Sequence, residues 1–295
     1  MALYTGTSVM NTSARPPIEV HHHGPGEPYA AVLHGGPGAP GSAAGLAREA
    51  AAFGAVLEPW QRRAGEVPLT VARHVADLAA VLPRPLVLVG WSWGAMLALS
   101  CAAARPGLAT ALVLVGCGTY DEASRQAYEQ TMARRLGADG RARMAALRRE
   151  LAREDRRAAR DRLFEELGRI AAQAQAYDPI ASDEPDEMGE VDADGFAETW
   201  ADAMRLQRGG VEPSSFAAID CPVLMLHGAE DPHPGSATRD VLRRYLSHLE
   251  YIEIPRCGHQ PWLERHGREP FLDALRRWLG GPGAPGMGSA RTIKA

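Results

Sequence analysis

Residues 85–107, PLVLVGWSWGAMLALSCAAARPG, admit few folds. PLVLVG is a short apolar run without polar alternation, the pattern of a strand buried on both faces. AMLALSCAAARPG (95–107) is rich in helix formers and is stopped by Pro106 and Gly107. Only four residues, Trp91 to Gly94, separate the two. A doubly buried strand that turns this abruptly into a helix belongs in a parallel sheet covered by helices on both sides.

The same alternation runs along most of the chain. YAAVLHG (29–35), AVLEPW (55–60), ALVLVGCG (111–118), PVLMLHG (222–228) and LEYIEIP (249–255) read as strands. LAREAAAFG (46–54), TVARHVADLAAVL (70–82), a segment near 236–247 and FLDALRRWL (271–279) read as helices. In the second of these, Val71, Val75, Leu78 and Leu82 recur at helical spacing. Between about 120 and 215 the pattern is replaced by charge-dense helical sequence. The fold class predicted is α/β, with a mostly parallel central sheet. A loose tail over 1–16 precedes a core over 17–119 and 216–279. That core is interrupted by a helical insertion over 120–215, and a disordered, Gly- and Pro-rich tail over 280–295 follows it.

Composition narrows the function. The 295 residues are 45% hydrophobic and carry a net charge of -4, so a nucleic-acid partner is not expected. No apolar run reaches the length of a membrane span, and no charged segment leading into an apolar stretch opens the chain. A cytoplasmic location without a membrane partner is expected; the oligomeric state is left open. Cys101, Cys117, Cys221 and Cys257 form no CxxC pair, which argues against a zinc knuckle. His21, His22 and His23 are adjacent, and neighbours on a strand face opposite ways, so they read as strand rather than metal ligands. No metal or organic cofactor is expected.

Gly90-Trp91-Ser92-Trp93-Gly94 matches G-x-S-x-G at the end of a buried strand and the start of a helix, where a strained turn pushes the serine outward. A serine in that position needs a base and donors for an oxyanion. HGGPG (34–38) ends an earlier strand; the amides of Gly36 and Trp93 are the candidate oxyanion donors. Asp231 follows strand 222–228 and His259 follows strand 249–255, so Ser92, Asp231 and His259 occur in the order Ser…Asp…His at strand ends. Glu230 and Asp121 are the rival acids. Trp91, Trp93 and Trp262, close to these positions in sequence, are candidate walls of a substrate pocket.

HGGPG with GWSWG resembles the α/β-hydrolase superfamily over about residues 25–280, and in particular its proline iminopeptidase-like branch. Trp91 and Ala95 stand where that branch usually carries Gly and Ser, and EPWQRRAG (58–65) is a diverged form of its DQRGxG-like segment. The resemblance implies that the insertion is a cap over the nucleophile, with an apolar inner face drawn from Phe164, Tyr177, Phe196, Trp200 and Met204. It also implies a small-molecule or small-peptide substrate cleaved through an acyl-enzyme, and carboxylates near a free amine. The acidic stretch 183–194 is one place for such carboxylates, although such runs are usually solvated loops. Other cofactor-free chemistry on the same triad (C–C hydrolysis or perhydrolysis) and non-catalytic ligand binding are the alternatives.

Overall fold

The computed structural model describes residues 17–83, 85–180 and 188–280. The tails expected over 1–16 and beyond 280, and residues 183–187 of the acidic stretch, lie outside the described residues. Seven strands form one sheet: β1 (Val20–His23), β2 (Ala30–Leu33), β3 (Val56–Pro59), β4 (Leu86–Trp91), β5 (Ala109–Val115), β6 (Val223–Gly228) and β7 (Leu249–Ile254). They lie side by side in the order β1-β3-β2-β4-β5-β6-β7. Only β1 runs antiparallel to its neighbour, with His21 opposite Glu58; every other pairing is parallel. The histidine triplet is therefore the edge strand that its alternation predicts, with His23 bonded to Glu58 at 2.8 Å and His21 stacked on Trp60.

All residues of β2, β4 and β6 are buried, as a strand covered on both faces requires. Helices α2 (Val71–Val81) and α3 (Trp93–Ala104) cover one face, around Leu33, Leu88, Leu112 and Met225. Helices α1 (Ala44–Ala50) and α8 (Arg268–Gly280) cover the other, around Val32, Val89, Val113 and Leu224. Alternating residues of one strand thus feed two separate apolar layers. α3 is buried along almost its whole length, which explains why its sequence lacks a polar stripe.

Between β5 and β6 the chain builds α4 (Glu122–Leu151), α5 (Arg157–Gln175) and α6 (Ala193–Arg208). α4 is broken at Gly137, where φ is +62°. α7 (Gly235–Leu242) returns the chain from β6 to β7. Two boundaries differ from the sequence reading. The helix expected from residue 95 begins at Trp93, because the turn at Ser92 consumes a single residue. The strand expected to reach 118 ends at Val115, because Gly116 takes φ +53° and leads the chain off the sheet.

The strand-to-helix turn is closed by two glycines. A Cβ on Gly90 would collide with the carbonyl of Gly94, and one on Gly94 would collide with the carbonyls of Leu33 and His34. The obstructing atoms are backbone and cannot swing away. Gly94→Ala is expected to destabilise the fold by about 3 kcal/mol or more in urea unfolding. Gly65→Ala, at an exposed position with open space around it, should stay within about 0.5 kcal/mol of the parent.

Candidate active site

Ser92 sits between β4 and α3 with φ +55° and ψ -118°, a strained backbone for a residue with a Cβ. Its N–H donates to the Val115 carbonyl at 2.9 Å, which ties the turn to the end of β5. The next residue, Gly116, faces His259 so closely that a Cβ there would lie 2.9 Å from the imidazole Nδ1. Two adjacent strand ends thereby carry the Ser92 turn and the glycine that faces the His259 ring.

His259 Nδ1 meets Asp231 Oδ2 at 2.6 Å, and both residues are buried. A carboxylate only accepts, so His259 carries its proton on Nδ1 and keeps Nε2 for another partner. Burial pushes the Asp231 carboxyl up, but the surrounding histidines, His259 first, and the hydrogen bond from His233 outweigh it and hold the group well below the usual range. Of the rival acids, Asp121 caps α4 by accepting from the N–H and hydroxyl of Ser124, both at 2.8 Å. Glu230 sits beside Asp231, where its N–H donates to the Cys257 carbonyl.

The HGGPG loop is fixed by a buried polar network. His34 Nδ1 donates to the Gly35 carbonyl at 2.8 Å, and its Nε2 accepts from the Gln61 N–H at 3.0 Å. Both ring nitrogens are used only if the imidazole is neutral, and burial accordingly lowers its pKa. The Gln61 amide donates to the His34 carbonyl at 3.2 Å and accepts from the Trp93 indole at 2.8 Å. One glutamine thus joins the loop carrying Gly36 to the helix start carrying the Trp93 amide. Sequence reading passed over Gln61; its only signal was its place in the diverged EPWQRRAG segment.

The tryptophans are packed inside the fold. Trp93 is buried in the core beside His74, and Trp262 is buried edge-on to Trp91 and against Phe271. The two rings fill apolar layers on opposite sides of the sheet. Trp91 lies under Gly35, where a Cβ would come within 2.7 Å of its ring, and its indole donates to the His259 carbonyl at 3.0 Å. It braces both loops of the site from beneath.

The helical insertion closes on the same loops. The His259 N–H donates to the Gln175 carbonyl at 3.1 Å, and buried Glu264 accepts from the N–H groups of Tyr177 and Asp178. On the opposite side the Asp192 N–H donates to the Gly38 carbonyl at 2.8 Å. Phe164, Phe196 and Trp200 form a contiguous aromatic row there. Met204 packs on the core, whereas Tyr177 is 47% exposed and is not an inner-face residue. Glu190, Asp192 and Asp194 pair with Arg63, Arg157 and Arg160. Asp192 and Asp194 are thus tied to α5, and Asp192 also accepts from the Ala64 N–H of the core, whereas Glu190 meets Arg63 at the exposed surface.

His233 was not singled out from the sequence, yet it belongs to the site. Its N–H and Nδ1 both reach Asp231 Oδ1, at 2.9 and 3.0 Å. Asp231, His233 and His259 offer ligand atoms within 4.8 Å of one another. The two rings, however, are stacked 24° from parallel with centroids 4.7 Å apart. A metal lies in the plane of an imidazole at about 2.0–2.1 Å, so one ion cannot serve both rings as they stand.

The model of the alpha/beta hydrolase family matches residues 24–274. Among solved structures, an esterase from Thermogutta terrifontis shares 22% identity at a TM-score of 0.57, covering 91% of this chain and 96% of its own. E-2-(acetamidomethylene)succinate hydrolase shares 18% at 0.58, with 89% and 94% covered. Proline iminopeptidase of Mycobacterium smegmatis shares 20% at 0.55, with 88% and 93% covered. No curated protein matches.

Three buried histidines and the partly buried His233 make stability depend on pH. Burial lowers the pKa of His34, His227 and His233, and that of His74 to about 4. Below about pH 6.5 the unfolded chain binds protons that the folded chain refuses, so stability is fully present above that pH and is lost as pH falls. Each such histidine contributes a slope of about 1.4 kcal/mol per pH unit until it titrates in the fold. Urea unfolding at pH 7.5, 6.5, 5.5 and 4.5 should show a steepening loss; a flat profile would mean that these rings are charged in the folded protein.

Proposed function

The chain belongs to the alpha/beta hydrolase family, and from that premise we propose that it is a serine hydrolase of small, largely apolar esters or amides. The Asp231–His259 contact at 2.6 Å, set beside the strained Ser92 turn, carries this reading. Ser92 Oγ attacks the carbonyl while His259 Nε2 takes its proton; Asp231 holds the ring and stabilises the imidazolium. The amides of Gly36 and Trp93 receive the oxyanion, positioned through the His34–Gln61–Trp93 network. His259 then protonates the leaving group, and water, activated by the same ring, releases the acyl group from Ser92.

The insertion acts as a lid in this reading. Its Phe164–Phe196–Trp200 row lies beside the HGGPG loop through the Asp192–Gly38 bond, and supplies an apolar face for the substrate. Ester or amide hydrolysis is favoured over recognition of a free amino terminus, because Glu190, Asp192 and Asp194 are already paired with arginines. No helix among the described residues is long and apolar enough to cross a membrane.

A fluorophosphonate should label Ser92 stoichiometrically. Ser92→Ala should remove label and lower kcat by about 10⁴-fold or more while leaving the melting temperature nearly unchanged. Asp231→Asn should lower kcat by about 10³- to 10⁴-fold, and Asp121→Asn by less than about threefold. Labelling at another serine, or the reverse order of the two aspartates, would overturn the assignment. Turnover of p-nitrophenyl esters against proline p-nitroanilide, free and N-acetylated, decides the substrate class. Preference for the free-amine anilide would favour an aminopeptidase instead.

A further inference from the structure

Asp231 is shared among three imidazoles. Oδ2 faces His259 Nδ1 at 2.6 Å and His227 Nε2 at 3.2 Å, while Oδ1 is occupied by the backbone N–H and Nδ1 of His233. A carboxylate that only had to orient His259 would not need a second ring on its other oxygen. His233 is also the middle of a three-ring stack. Tyr128, from α4 of the insertion, covers one face at 4.3 Å and 27°, and His259 covers the other at 4.7 Å and 24°. His227 closes the arrangement from β6: its Nε2 lies 3.0 Å from the His233 carbonyl and 3.2 Å from Asp231 Oδ2, both of which can only accept, so that nitrogen carries the proton.

We propose that His233 is a positioning residue for the Asp231–His259 pair. It anchors Oδ1 so that the carboxylate cannot rotate away, and it draws part of the carboxylate charge away from His259. The inference rests on the reading of Asp231 and His259 as the working pair of the proposed hydrolase. Its direction follows from electrostatics. A donor on Oδ1 disperses the carboxylate charge, and a neutral imidazole face stabilises a neighbouring imidazolium less than a benzene face does. Both effects make His259 easier to discharge once it has taken the serine proton.

The other groups that face the cluster come from every element packed against it. Burial raises Tyr128 from α4, Cys117 after β5 and Tyr251 on β7, and all three stay neutral through the working range. Arg135 of α4 is bonded to the Glu230 carbonyl, and Glu253 on β7 is bonded to Tyr251 at 2.8 Å.

Full-length protein labelled with ¹⁵N-histidine reports these titrations through the imidazole nitrogens, without any need for substrate. In His233→Phe, which keeps a flat ring and the backbone N–H but loses the side-chain donor, the His259 midpoint should rise by at least about half a pH unit. His233→Asn, whose amide can still donate to Oδ1, should shift less. If His233→Phe fails to fold by circular dichroism, His233→Leu carries the same expectation. A His259 midpoint unchanged within about 0.2 unit in the donor-less variants would overturn the proposal and leave His233 as packing. Where turnover is found, the acid limb of kcat/KM should move with the same sign, and His233→Asn should recover part of the lost rate. If the wild-type protein fails to acylate at Ser92, the proposed function falls, and the nitrogen titration still decides whether His233 governs Asp231 and His259.

Discussion

The backbone contact between Gly94 and the end of β2 sets the geometry on which everything else depends. α3 can reach the Leu33 and His34 carbonyls only because Gly94 has no Cβ, and the same close approach forces the turn that leaves Ser92 at φ +55°. Once α3 is pressed against β2, the HGGPG loop must leave the sheet directly beside Ser92. Once β4 ends at Trp91, its neighbour β5 must end within one residue, and Gly116 opens the space that the His259 ring fills. Strand ends, not loop flexibility, place the chemistry.

The buried polar groups around this frame are arranged in chains that leave little choice of tautomer. His34 uses both nitrogens, Gln61 uses its N–H, amide and carbonyl, and Trp93 gives its only donor to that glutamine. Such networks are stable when each member is satisfied, and a single broken member leaves the rest exposed to a low-dielectric interior. The same logic governs Asp231, whose two oxygens are divided among three rings. Rigidity around the candidate oxyanion donors and the candidate base thus comes from polar complementarity, while the apolar layers hold the sheet.

The parallel sheet, the turn at Ser92 and the placement of Asp231 and His259 at strand ends were legible in the sequence, because each depends on local chemistry: apolar runs, glycines at fixed offsets, turn residues after strands. The packing of the tryptophans was not legible, because a large ring next to a candidate nucleophile looks the same in sequence whether it faces a ligand or the core. Trp93 is held by Gln61 and His74, Trp262 by Trp91 and Phe271, and no short-range pattern announces these partners. His233 was missed for the opposite reason. It lies two residues from Asp231 in plain view, but its importance arises from stacking between Tyr128 and His259, which no short-range pattern encodes. The described part of the acidic stretch likewise reads as solvated until the arginines of α5 and the loop after β3 are brought to it.

The bond from the His259 N–H to the Gln175 carbonyl has a consequence for how this molecule can be remodelled. α5 ends there, Glu264 grips the two residues that follow, and Tyr128 of α4 lies on His233. The helical insertion is therefore not an interchangeable module. A chimera that grafts another protein's helices between β5 and β6 would keep the sheet and the Ser92 turn, yet would lose the scaffold that orients the imidazole. Diversification of this architecture should proceed by substitution along the Phe164–Phe196–Trp200 row, which touches none of those anchors, rather than by exchange of whole segments.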